Sequence, residues 1–289
     1  MLTIAYLGPE KTNTHLAALK RFGRKARFIH APTIDDVFEL VERENADVGV
    51  VPIENSLEGV VTHTVDRFID FKRTPIRIIG EFEFPIRHYF ITNTGTKHSE
   101  VGRVYSHPQA LAQCRKWIQM SLPKHVELAE MNSTSEAVQF IATNRAVTED
   151  SRGRSREIVL AAIGHKEAAR PLNLIAMPIP DERENKTRFL IIGLENPTRG
   201  RRNKTSILFA LKDQPGALHD ALMPFKRNQI NLTKIESRPS KKKAWEYLFF
   251  IDFEGHESEP RVKRTLKALE KSTSLLRVLG SYPTVTRTR

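Results

Sequence analysis

Cysteine is nearly missing from these 289 residues. Cys114 stands alone, so no intramolecular disulfide framework is available and a reducing compartment is expected. Long apolar runs are missing too. No stretch approaches the length needed to cross a bilayer, and the apolar run in residues 1–9 has no basic segment before it, so neither a membrane span nor a secretory leader is expected. Acidic residues are in deficit, 34 against 46 lysines and arginines, which leaves a formal charge of +12. That surplus is scattered, with local clusters at 152–156, 199–204 and 241–243. No zinc-ligand spacing, RNA-binding aromatic signature or basic helix accompanies the clusters, so they read as solvated loops and nucleic acid is not expected as a partner. The expectation is a soluble cytoplasmic protein.

What is present reads as α/β. Residues 2–7, 26–31 and 47–53 have strand character, and each runs through a polar loop into a helical segment. The loops carry hydroxyls and amides: Thr12 and Thr14 in the first, Asn55 and Ser56 in the third. A second lobe repeats the plan, with His107 and Gln109 after strand 101–105 and Ser133 and Thr134 after strand 126–129. Two long extended runs between 76 and 92 suggest strands that leave one lobe for another. The apolar strand 187–193 is opened by Thr187. Period two places Thr187 and Phe189 on one face and Arg188 on the other, so Thr187 and Arg188 share a site only if the strand starts or bends there. Taken singly, these hydroxyls are explained by helix capping, and Cys114 by burial in the helix that follows Pro108. Taken together, several helix N-termini and hydroxyls suit a small molecule with more than one carboxylate.

A basic linker, 195–204, precedes a different rhythm: strand 206–211, helix 217–227, strands 231–237 and 245–253, helix 259–272 and strand 276–280. That is βαββαβ, a ferredoxin-like sandwich with helices on one face. An uncovered sheet face on so small a domain predicts pairing with a second copy.

Several loops together resemble the prephenate dehydratase family. They are Gly8-Pro9 with Thr14, Pro52 to Ser56 with Glu58-Gly59, Ser106 to Leu111 with Gln113-Cys114, Ser133-Thr134, Ala161-Ala162-Ile163, and Asn185 with Thr187-Arg188-Phe189. Gly216-Ala217-Leu218 and Glu236-Ser237-Arg238-Pro239 look like the ACT regulatory domain that accompanies it. The resemblance implies a catalytic domain over 1–197 with two lobes like a periplasmic binding protein, lobe 1 about 1–80 and 170–197, lobe 2 about 81–169. An ACT domain would follow at 204–285.

It further implies conversion of prephenate to phenylpyruvate without metal or organic cofactor, and feedback inhibition by phenylalanine in a homodimer or homotetramer. By the family's pattern Thr187 is the hydrogen-bond donor to the leaving hydroxyl, and Arg188 and Phe189 hold substrate and cleft. Thr14, Asn55, Ser56, Ser133 and Thr134 would bind carboxylates or hydroxyl, with His107 and Gln109 in support. Gly216, Ala217, Leu218, Asn231, Glu236, Ser237, Arg238 and Pro239 would form the phenylalanine pocket. The chain departs from the pattern where Lys11 replaces a loop glycine, Asn13 an aromatic residue, and Leu172-Asn173 a Tyr-Gly pair. Loss of the first glycine is expected to remove easy access to positive φ. Alternatives are an arogenate dehydratase and a catalytically silent aromatic-acid sensor.

Overall fold

The computed structural model describes residues 1–70, 75–149, 155–180, 184–197, 199–211, 214–240 and 247–284. The basic runs at 152–154 and 241–243, Asp213 and, in the expected strand, Trp245 lie outside them. Two compact units result: residues 1–6, 21–84 and 187–289 form one, residues 7–20 and 85–186 the other.

The first unit begins with β1 (Thr3–Leu7), β2 (Arg27–Ala31), β3 (Val48–Asn55), its short hairpin partner β4 (Gly59–Val60), and β5 (Arg77–Pro85). The chain then builds the second unit from β6 (Tyr89–Thr92), β7 (Val101–Ser106), β8 (Glu127–Glu130), β9 (Ala146–Glu149), β10 (Ser155–Gly164) and β11 (Ile175–Pro178). It returns with β12 (Lys186–Gly193). The sheet orders are β2-β1-β3-β12-β5 and β11-β6-β10-β7-β8. β1 and β3 pair in parallel, whereas β12 enters antiparallel to β3. Three expected lobe boundaries move, the first because residues 7–20, expected in lobe 1, fall in the second unit. Residues 81–85 belong to β5 of the first sheet, and β11 pairs with β6 in the second sheet instead of returning to the first.

Helices α1 (Asn13–Phe22), α2 (Ile34–Glu42), α3 (Thr62–Asp70), α4 (Pro108–Gln113), α5 (Arg115–Ser121), α6 (Thr134–Thr143) and α7 (Lys166–Ala169) connect these strands. Their starts follow from capping chemistry. Thr33 accepts from the Asp36 N–H and Asp36 accepts from that of Thr33, a capping box that opens α2 and lets it bury Val37, Phe38 and Val41. The expected continuous helix around Cys114 breaks there, and the thiol lies buried between α4 and α5.

The C-terminal part is β13 (Asn203–Leu211), α8 (Ala217–Arg227), β14 (Leu232–Pro239), β15 (Tyr247–Glu254), α9 (Pro260–Ser272) and β16 (Thr273–Pro283), in sheet order β14-β15-β13-β16. This is the expected βαββαβ sandwich. Strand alternation divides its residues. Ile207, Phe209, Ile251 and Phe253 meet one cluster with Ala221, Phe225, Val262 and Leu269 of the two helices. Leu208, Ala210, Leu248 and Phe250 point oppositely and join Phe38, Phe68, Ile78, Leu190 and Ile192 of the first sheet and its helices. The sheet face expected to await a second copy is therefore covered within the chain. Apolar alternation cannot say which surface does the covering.

Candidate active site

Thr187 faces Asn55 in the antiparallel register of β12 on β3. Asn55 Nδ2 donates to Thr187 Oγ1 at 3.0 Å, and Asn55 Oδ1 accepts from the N–H groups of Leu57 and Glu58 at 2.9 and 3.1 Å. The carboxamide is thus held by the β3–β4 turn at one end and presents its amide to the threonine at the other. Because Oγ1 accepts from Asn55, the Thr187 O–H is available to donate elsewhere. Ser56 is exposed in the same turn. Phe189 is buried and stacked on Phe82, with ring centroids 5.5 Å apart. Asn55, expected as a possible helix cap, caps a tight turn instead.

Arg188 goes the other way. Its Nη2 ion-pairs with Asp252 of β15, its Nη1 lies 3.2 Å from Glu54 and its Nε 3.6 Å from Glu81. Burial opposes the guanidinium charge, but Asp252, Glu81 and Glu54 outweigh it and raise the pKa above its ordinary value. The expectation that Arg188 holds substrate beside Thr187 meets a side chain already engaged by three carboxylates on the opposite strand face. The ladder does shift register between Arg188 and Phe189, where Ile53 of β3 is the extra residue, but the shift lies beyond both rungs and leaves Thr187 and Arg188 on opposite faces.

In the second unit, Thr12 Oγ accepts from the His15 N–H at 3.3 Å, the contact of a capping residue, which leaves Thr14 buried within the first turn of α1. His107 caps α4, its Nδ1 accepting from the Gln109 N–H at 3.3 Å, and Gln109 is exposed. Burial lowers the His107 pKa, with Glu130 opposing. Ser133 caps α6, Oγ accepting from the Glu136 N–H at 3.1 Å, and Thr134 begins that helix. Sequence reasoning passed over a cluster here. Gln113 Oε1 accepts from His88 Nε2 at 2.7 Å and from Asn185 Nδ2 at 2.8 Å, which fixes the His88 proton on Nε2. Gln113 and Asn185 belong to the motifs that carry the family resemblance, but His88 carried no local signal.

The expected phenylalanine residues divide between two faces. Gly216, with φ 78°, turns the chain into α8, which Ala217 and Leu218 begin. Asn231, Ser237 and Pro239 are exposed. Glu236 and Arg238 share the opposite side of β14, where Arg238 binds Asp66 of α3 through Nε at 2.9 Å and Nη2 at 3.1 Å. Its guanidinium is therefore engaged by Asp66 of α3.

The prephenate dehydratase family profile matches residues 4–197, and the ACT domain profile matches 205–271. The chain belongs to the prephenate dehydratase family. It is 45% identical over 98% of its length to a bifunctional chorismate mutase/prephenate dehydratase of Aquifex aeolicus, covering 74% of that protein. A prephenate dehydratase of Methanocaldococcus jannaschii is 42% identical over 87% of this chain and 86% of its own. Among solved structures, a prephenate dehydratase from Arthrobacter aurescens in complex with L-Phe aligns with a TM-score of 0.83 at 31% identity, covering 97% of this chain and 89% of that one. Enzymes of the prephenate dehydratase family are carbon–oxygen lyases, and this chain carries the family's catalytic and ACT regions in the same order.

Proposed function

We propose that the chain converts prephenate to phenylpyruvate, carbon dioxide and water, and that phenylalanine inhibits it through the ACT domain. The chemistry rests on the Thr187–Asn55 hydrogen bond, in which the threonine oxygen accepts and its proton is left to donate. In the reaction the bond from the ring to its carboxylate breaks and that electron pair enters the ring. The carbon–oxygen bond on the opposite ring carbon breaks as the ring becomes aromatic. The departing hydroxyl takes up one proton, drawn in the end from solvent, and leaves as water.

A threonine is too weak an acid to transfer its proton outright, so its contribution is a fixed hydrogen bond to the oxygen on which charge develops. The hydroxyls of Thr14, Ser133 and Thr134 at the starts of α1 and α6 fit the carboxylates of such a substrate, with Ser56, His107 and Gln109 as further polar partners. The ACT match and the phenylalanine bound to the Arthrobacter relative support that amino acid as the regulator. Self-association is supported by the edge strand β14, whose Ile235 is 47% exposed.

Purified protein is expected to form phenylpyruvate from prephenate, and Thr187→Ala to lower kcat about 10²- to 10³-fold, while Thr187→Ser keeps most of it. Faster turnover of arogenate would assign the chain to that acid instead. Folded protein that binds prephenate without turning over either acid would be a silent sensor. Phenylalanine that changes neither turnover nor the thermal midpoint would remove the regulatory half.

A further inference from the structure

We infer that Arg188 is a positioning residue for the Thr187–Asn55 pair, anchored by Asp252 of the C-terminal domain. The inference rests on the proposed role of Thr187 and adds to it. Register supplies the first step: Thr187 lies opposite Asn55, and the next rung of the same ladder sets Arg188 opposite Glu54. In a strand, neighbouring residues point to opposite faces, so the hydroxyl–amide pair on one side is backed directly by a guanidinium–carboxylate pair on the other.

That backing pair is part of a larger group. Lys234 Nζ binds the second oxygen of Glu54 at 2.6 Å, and Lys204 Nζ binds Glu81 Oε1 at 2.6 Å. Asp252, fully buried, takes Arg188 on one oxygen and the Ser206 hydroxyl on the other at 2.5 Å, and Ser206 meets the Tyr282 hydroxyl at 2.8 Å. Three cations, Arg188, Lys204 and Lys234, thus face three anions, Glu54, Glu81 and Asp252. Lys204, Lys234 and Asp252 come from the C-terminal sheet; Glu54, Glu81 and Arg188 come from β3, β5 and β12.

Such a cluster adds little net stability over apolar packing of the same volume, but it admits few alternative geometries and penalises removal of any one member. Fixing Arg188 and Glu54 fixes the backbone of two adjacent rungs. The side chains on the reverse face, Thr187 and Asn55, are then set relative to one another.

The test compares Asp252→Asn, Asp252→Glu and Arg188→Lys with Asp66→Asn, which breaks a different ion pair between the same two parts of the chain. Misplacing the hydroxyl by even about 1 Å is expected to lower kcat about 10²-fold in Asp252→Asn with KM little changed. Asp252→Glu should recover part of the loss and Asp66→Asn should show none. In the same samples, backbone amides at 54–55 and 187–188 are expected to exchange hydrogen faster in Asp252→Asn than in wild type. Arg188→Lys that raises KM at unchanged kcat would make Arg188 a substrate ligand and overturn the inference. So would unchanged kcat and unchanged exchange in Asp252→Asn. If wild-type protein turns over neither acid, the proposed reaction falls and the exchange rates alone decide whether Asp252 orders these rungs.

Discussion

A threonine hydroxyl is a weak acid and a weak base, so its placement has to supply what its pKa does not. Asn55 gives Thr187 that placement by donating to its oxygen, and the Thr187 O–H can donate in turn. Lys11 is the other residue whose conformation carries a consequence. It holds φ at 63°, with its N–H bonded to His15 Nδ1 at 2.8 Å, so the loop keeps the left-handed turn that the resemblance assigns to glycine. The expected loss of positive φ does not occur; the lysine bears the strain instead. Asn173 does the same at φ 55° with a residue type that tolerates it. Left-handed backbone costs an ordinary residue about 1–2 kcal/mol, and glycine's greater unfolded-state freedom returns part of any gain, so Lys11→Gly is expected to raise stability by about 1 kcal/mol. Urea unfolding of the two proteins measures the difference.

At the scale of elements, the contact between β16 and β5 is close enough to exclude any side chain. A Cβ on Gly280 would lie 2.0 Å from the carbonyl oxygen of Ile78, an atom of backbone that cannot rotate away. Gly280→Ala must therefore move the two strands apart, in a region where Leu279 and Tyr282 share one apolar cluster with Ile78 and Leu190. Overpacking of this kind costs about 3 kcal/mol. The thermal midpoint is expected to drop accordingly. Gly216 differs, since nothing lies within 4 Å of a Cβ there and only its φ of 78° requires glycine. The contrast separates a glycine needed for approach from one needed for its turn.

For the whole molecule, two half-buried imidazoles, His107 and His165, set a pH dependence. Burial lowers the pKa of His107 below 6.5, with Glu130 opposing, and lowers that of His165 likewise, with Glu167 opposing. A lowered folded-state pKa means that the unfolded chain binds more protons between the two values. The histidine contribution to stability is then complete above 6.5 and is lost as the pH falls through the folded-state values. Thermal midpoints followed from about pH 7 to about pH 5 are expected to fall less steeply in a His107→Gln, His165→Gln protein than in wild type. An identical slope would show that neither imidazole is linked to folding.

Much of this was legible in the chain itself. Alternation in 206–211 and 247–253, helical spacing in 217–227 and the capping residues Thr33 and Ser133 determine local structure through contacts a few residues long, and the structure keeps them. The expected opposition of Thr187 and Arg188 also held, because strand alternation is a local property of the backbone. What local pattern could not carry was the identity of distant partners. Arg188 meets Asp252 across 64 residues and Arg238 meets Asp66 across 172, and either arginine reads equally well as a ligand for a carboxylate in solution. The covered face of the C-terminal sheet has the same origin, since Leu208 and Phe250 announce burial without naming the surface that buries them. Sequence by itself determined the elements, the family and the polar residues at the strand ends. Only the tertiary structure decided which charges those residues meet, because an ion pair depends on positions in space that period and spacing do not encode.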